Sequence, residues 1–234
     1  MDILPPPDYP PVPPSEYPQI PTRTPPATLE RLHASCVSGD IQSFREILDS
    51  HSSSSEEFDI CDFYAIMIEA IKVKDSYAIA DEEMAAWLLG HGADPNRQCV
   101  IDLTPLSLAV ESAPISVIQL MLSRGADARK GQLLHHTIDR HSDSIAVLNF
   151  LIENRADINA TMYEDHYPSQ ALFSFMGLRT ALHKAAELGK MDVFRYLVSK
   201  GADLRIKDAT GRTALSRAQI SNKWEVIQAL EEGI

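Results

Sequence analysis

Three imidazoles, His135, His136 and His141, crowd the stretch QLLHHTIDRHS, and His33 stands three residues before Cys36 in LHASC. Clustered imidazoles are ligands for a metal centre, and an imidazole one helical turn from a thiol is half of a nucleophilic pair. Neither set is complete. Nothing near His33 and Cys36 supplies a third group to orient the base, and Cys36 falls in an apolar stripe with Leu29 and Leu32. Cys36, Cys61 and Cys99 lack the paired spacing of a zinc knuckle or a disulfide framework. No glycine-rich phosphate loop, HExxH or GxSxG occurs. The expectation is a non-enzymatic protein with no catalytic residue, metal or cofactor.

The segments that carry these residues read as helices. From Thr28, TLERLHASCVSGDIQSFREIL sets Leu29, Leu32 and Cys36, then Ile41, Phe44, Ile47 and Leu48, at helical spacing. Later, Leu182, Ala185 and Ala186 share one face of a short helix that the Thr180 hydroxyl caps and Gly189 ends. A second helix follows at once, with Val193, Phe194, Leu197 and Val198 as its buried stripe. Gly201 stops it before the turn-rich link ADLRIKDATG.

This unit recurs. RTALHKA at 179–185 returns as RTALSRA at 212–218, so that Thr180 and Thr213 stand 33 residues apart, as do Gly92 of GADPN and Gly125 of GADAR. TPLSLA at 104–109 and QLLHHT at 132–137 mark two more starts, and Arg155 takes the glycine position in the ending RAD. These residues, T-[PA]-L-[HS]-x-A followed by a second helix and G-A-D, resemble the ankyrin repeat family in signature and period.

The resemblance implies an all-α repeat fold, an ankyrin solenoid of about six helix-turn-helix units with hairpin-like connecting loops. Its units would lie at approximately 28–58, 59–98, 99–130, 131–160, 179–208 and 209–234, with an inserted loop at 161–178. Asp127 and Gln132 are only five apart, so the hairpin between them is shortened. One helix pair buries too little apolar surface to stand alone, and stacking covers each face with the next unit. The end units then need polar outer faces, for which Glu30, Arg31 and Asp40 at one end and Asn222, Lys223, Glu231 and Glu232 at the other are suited. By the same resemblance, His135 and His183 are buried hydrogen-bonding links between loops.

Ankyrin arrays bind proteins with their hairpin tips and the exposed side of their first helices. The resemblance therefore implies an interaction scaffold or adaptor, expected as a monomer; a regulatory or inhibitory subunit of an enzyme complex is the alternative. Mapped onto this chain, the binding surface holds Val100, Ile101, Leu103 and Glu111, then Asp139 and Arg140, then Arg179, Glu187 and Leu188, then Ala209 and Arg212. Val100, Ile101 and Leu103 either form an exposed apolar patch for a partner or pack under the neighbouring hairpin. The insertion brings Met162, Tyr163, His166, Tyr167, Phe173 and Phe175, which either fold back on the stack or face a partner.

Residues 5–26, PPPDYPPVPPSEYPQIPTRTPP, hold 11 of the 15 prolines. Proline at that density removes backbone donors and fixes φ, so residues 1–27 are expected as a disordered, extended polyproline tail. Within it Pro6, Pro7, Asp8 and Tyr9 form a P-P-x-Y sequence that resembles the ligand of WW domains, and PPVPP suits an SH3 domain; a plain spacer is the alternative. SHSSSSEE, from Ser50, reads as a flexible loop or as an acidophilic kinase site.

The net charge of -12 repels phosphate backbones, and no basic cluster overrules it, so nucleic acid is not an expected partner. No signal-peptide pattern opens the sequence and no run of 18 apolar residues occurs, so neither secretion nor membrane spanning is expected. The cysteine usage suits a reducing compartment, intracellular and either cytoplasmic or nuclear.

Overall fold

The structure is a computed structural model that describes residues 26–38, 40–52, 82–90, 94–96, 98 and 102–232. The proline-rich tail through residue 25 with its P-P-x-Y motif, most of the unit at 59–98, Val100, Ile101 and all but the first residues of SHSSSSEE lie outside the described residues. The described elements are helices, with no strand among them. They are α1 (Pro26–Ser38), α2 (Ile41–Ser52), α3 (Glu82–Gly90), α4 (Pro105–Ser112), α5 (Ile115–Ser123), α6 (Leu133–Asp139) and α7 (Ser144–Glu153). After these come α8 (Tyr167–Phe173) with a short 3-10 turn at Ser174–Met176, then α9 (Ala181–Leu188), α10 (Met191–Ser199), α11 (Ala214–Ile220) and α12 (Trp224–Glu231).

Helices pair in order along the chain: α1 with α2, α4 with α5, α6 with α7, α9 with α10 and α11 with α12. The first members of the later pairs form an inner row in which α4 packs on α6, α6 on α9 and α9 on α11. Small residues allow that approach: Ala109, Ala185, Ala186 and Ala218 are fully buried. The second members form an outer row, where α3 meets α5 and α10 lies between α7 and α12. Val117 and Ile118, Val147 and Leu148, and Val193 and Phe194 repeat one buried stripe in α5, α7 and α10. Each such side chain contributes roughly 1.5–3 kcal/mol when it leaves water.

Local signals set the helix ends. Thr104, Thr180 and Thr213 each hold an extended backbone and accept an amide hydrogen of the first turn through the side chain. Gly125 and Gly201 take left-handed φ of 92° and 95° after α5 and α10, and Arg155, in the equivalent place after α7, is driven to 74°. A non-glycine residue there shows that the stack imposes this turn against local preference. In the shortened hairpin, Gly131 has φ 74°, and a Cβ at that position would collide with the hydroxyls of Ser107 and Thr104.

The last pair presents a partly finished face. Leu215, Ile227 and Leu230 are half-buried, although Leu182, Phe194 and Leu197, one period earlier, are buried. Gln219 and Glu231 stand exposed at the positions of Ala186 and Val198. Polar side chains thus replace apolar ones on the uncovered side. Glu30, Arg31 and Asp40 are also exposed at the other end.

Candidate functional site

His135 and His183 are structural. The Nε2–H of His183 donates to the Arg212 carbonyl at 3.0 Å, which leaves Nδ1 of the neutral ring to accept from the Thr180 amide and hydroxyl, the latter at 2.7 Å. His135 Nε2 likewise donates to the Arg179 carbonyl at 2.6 Å. Burial pushes the His135 imidazole down to about 3 and lowers that of His183. His136 instead faces the carboxylate of Glu111 at 3.7 Å, and His141 is exposed.

The inner helices expose a ridge of side chains tied from one unit to the next. Glu111 of α4 faces His136 of α6, and the nearby imidazole is the chief cause of its lowered pKa. Asp139 of α6 takes a bond from Lys184 Nζ of α9 at 2.5 Å, and the same ammonium donates to the His135 carbonyl at 2.9 Å. Arg179 and Glu187 pair with each other inside one unit. Leu188, 45% exposed, and Ile220, 58% exposed, interrupt this charged ridge with apolar surface. Of the expected binding residues, Glu111, Asp139, Leu188, Ala209 and Arg212 are exposed, while Leu103, Arg179 and Glu187 are half-buried.

Arg140 corrects the expectation. It is buried, with Nη2 donating to the Ala113 carbonyl at 2.7 Å, Nη1 to that of Val110 at 3.3 Å and Nε to that of Ser142 at 2.8 Å. It closes the carboxyl end of α4, where orphan carbonyls and the helix dipole favour a cation. Burial lowers its pKa against the opposing pull of Asp143. Lys190 repeats the device one unit later, donating to the carbonyls of Ile138 and Arg140 at the end of α6. Position alone placed Arg140 on the surface; its reach back to the previous helix is a tertiary fact.

The shortened hairpin opens a cleft of about 610 Å³ beneath the stem of the insertion, lined among others by Asp102, Asp127, Arg129, Gln132, Tyr163 and Glu164. Three of the six described non-glycine residues with left-handed φ, Asp102, Gln132 and Tyr163, belong to this lining. Such conformations persist only where the surroundings over-determine them. Buried Asp102 accepts from the amides of Gln98 at 2.5 Å and Gln132 at 3.2 Å. Asp127 is held down to about 2, first by the side chain of Arg129. Its amide donates to Asn96 Oδ1 at 2.6 Å, and Asn96 Nδ2 donates to the Gly125 carbonyl at 2.7 Å. Asn159 accepts from the Asp203 amide in the same way. The signal for this ladder was present as Asn two residues after the Asp of GADPN and RADIN.

The insertion both folds back and projects. Its stem is fixed by an antiparallel bridge between Thr161 and Thr180, by the Met162 amide on the Arg179 carbonyl at 3.1 Å, and by His166 capping Ser169, which is fully buried. At its far end Gly177 approaches Arg217 so closely that a Cβ would collide with the guanidinium. Tyr163 and Phe173 stack at 5.3 Å between ring centroids. Beyond that stack Tyr167 is 79% and Phe175 77% exposed, with Leu172 and Met176 beside them in sequence and also exposed.

Comparison with known proteins adds a family match at the end of the chain: the model for ankyrin repeats (3 copies) matches residues 169–234. A stretch of 74 residues is 39% identical to the probable E3 ubiquitin-protein ligase XBOS33 of Oryza sativa subsp. japonica, covering 31% of this chain and 14% of that protein. The E3 ubiquitin-protein ligase XBAT33 of Arabidopsis thaliana is 38% identical over 74 residues, with the same shares of each chain. Alpha-latrotoxin-Lg1a of Latrodectus geometricus is 25% identical over 145 residues, 60% of this chain and 10% of the toxin. The chain thus spans a small part, 10% to 14%, of the length of these curated relatives.

Proposed function

We propose that this chain is a non-catalytic protein-interaction scaffold: an ankyrin solenoid of about six units that engages a protein partner with its inner-helix ridge, its hairpin tips and the head of the insertion. The ankyrin match at 169–234 supports a protein-binding role. The observation that carries the reading is the division of labour in the insertion, whose stem is bonded to the stack while four apolar side chains, Tyr167, Leu172, Phe175 and Met176, face water. An anchored apolar surface of this kind marks a contact site. The acidic lining of the cleft suits a partner that brings a basic side chain to it. The P-P-x-Y motif then serves as a separate WW-domain ligand, PPVPP as an SH3 ligand, and the scaffold acts as an intracellular monomer.

Affinity capture from native lysate with the full chain tests this. A partner retained by the natural chain is lost with Leu188→Glu combined with Asp165→Lys, Asp165 being another acidic residue of the cleft lining, while circular dichroism and melting stay unchanged. Undiminished retention by that variant removes the ridge and cleft from consideration. A second reading, a regulatory subunit of an enzyme complex, is favoured by the likeness to short segments of two proteins named as ubiquitin ligases. It requires one stoichiometric enzyme in the eluate, and a diverse eluate argues against it.

A further inference from the structure

In the units that begin at Thr104 and Thr180, the side chain three positions after the threonine makes one bond forward to the next unit and one back to its own cap. Ser107 donates to the Gly131 carbonyl at 2.6 Å and accepts from the Thr104 amide at 3.0 Å, as His183 donates to the Arg212 carbonyl and accepts at Nδ1 from Thr180. His135 keeps only the forward bond. Gln132 stands in the place of the threonine, takes a left-handed φ of 56° and sends its side-chain amide to Asp102 at 3.2 Å, so no cap reaches the imidazole. Since Nε2 donates to the Arg179 carbonyl and burial holds the ring neutral, with its pKa pushed down to about 3, Nδ1 carries a bare lone pair. Among the described residues nothing donates to it.

That nitrogen is not enclosed in the protein, and His135, although only 5% exposed, lines the cleft of about 610 Å³. Five carboxylates, those of Asp102, Asp127, Asp157, Glu164 and Asp165, share the lining with two cations, Arg129 and Lys130, and Arg129 is already held by Asp127 at 2.7 Å. Leu133 and Leu134 add apolar surface, which suits a methylene stem. A fitting ligand must therefore donate to a buried nitrogen, carry positive charge and be partly apolar.

We propose that the cleft receives an arginine side chain of the protein partner, with a guanidinium N–H donated to Nδ1 of His135 and its charge balanced by Glu164 and Asp165. The inference rests on the scaffold reading above and names the group recognised at one part of that surface. Arginine suits the site better than lysine, because a guanidinium is more weakly hydrated and fans five donors across a plane, whereas an ammonium is a compact, strongly hydrated point. The volume also falls within the range of roughly 300–1,000 Å³ typical of ligand sites.

The full chain, labelled with nitrogen-15 at histidine, is titrated with the peptide acetyl-Gly-Arg-Gly-amide and with its citrulline and lysine counterparts, while NMR follows the imidazole nitrogens. The expected result is a saturable upfield shift of His135 Nδ1, reached with the arginine peptide at several-fold lower concentration than with the other two. His183 Nδ1, already bonded to Thr180, should stay still. Glu164→Gln with Asp165→Asn should raise the half-saturating concentration several-fold and leave the spectrum of the free chain unchanged. No shift, an equal response to citrulline or lysine, or an undiminished response in the double variant overturns the proposal. Failure here is separable from failure of the scaffold reading: a partner captured from lysate by a chain that ignores arginine removes only this occupant, whereas an empty eluate beside a positive titration counts against the scaffold alone.

Discussion

The imidazole of His135 bonds the main-chain oxygen of Arg179 across 44 residues, and His183 makes the same bond to Arg212 across 29. The difference in chain length is looped out as the insertion, and the joint between units keeps its geometry. An additional segment can thus be carried on the surface without shifting the register of the core.

These joints titrate. The His135 pKa is pushed down to about 3 by burial, below the value near 6.5 of an unfolded chain. The unfolded state therefore takes the proton first: the stability of this joint is complete above pH 6.5 and is lost as pH falls from there toward 3. Between pH 6.5 and pH 5 the loss is about 1.6 kcal/mol for this group alone. Urea titrations at the two pH values should show His135→Gln, which keeps a donor but cannot titrate, losing less than the natural chain. An equal loss in both sinks the assignment.

Asp208 provides an acid-side counterpart. Its buried carboxylate suffers from desolvation, but bonds from Thr210, the Arg212 amide and Arg217, the last at 2.6 Å, outweigh it and bring the pKa to about 2. This contribution is present above pH 4 and disappears as pH falls through 2. Removing the charge leaves Arg217 facing a neutral group in a largely dry site. Asp208→Asn is expected to cost about 3 kcal/mol by chemical denaturation at pH 7, and a cost under about 0.5 kcal/mol contradicts the role.

Arg140→Met removes the two bonds that close α4 together with the bond to the Ser142 carbonyl, and should destabilise by about 2–3 kcal/mol. Arg140→Lys should recover only part of this, since an ammonium lacks the planar fork. Because the guanidinium is buried, neither variant should weaken partner capture when compared below its melting temperature. A selective loss of binding would return Arg140 to the contact surface.

Two glycines separate backbone strain from collision. Gly201 has φ 95° and open space around it, so Gly201→Ala should cost about 1 kcal/mol for conformation alone. Gly131→Ala meets the same penalty together with the hydroxyls of Ser107 and Thr104, so its melting temperature should fall further. Equal shifts would mean that the short hairpin yields freely.

The elements legible in the sequence were those fixed by short-range chemistry. Thr180 and Thr213 start helices and Gly189 ends one because capping depends on residues within a turn, and the buried stripe of α10 follows from its own spacing. The roles of His135 and His183 were implied by the resemblance to the ankyrin repeat family. What could not be read was lateral. Arg140 reaches carbonyls 27 and 30 residues away, and the cleft exists because one hairpin is short while its neighbour is long. The insertion showed its aromatics in sequence, but which of them would stack and which would face water depended on the Thr161–Thr180 bridge and on the approach of Gly177 to Arg217.

Gln219 and Glu231 also set a rule for engineering. They are two exposed polar side chains of α11 and α12, and Leu215, Ile227 and Leu230 of the same helices are half-buried. Changing them to Ala and Val, the residues found one period earlier, would give this face the apolar character of the layer before it. A further layer of the same pitch could then be joined in phase without touching the charged ridge of the inner helices.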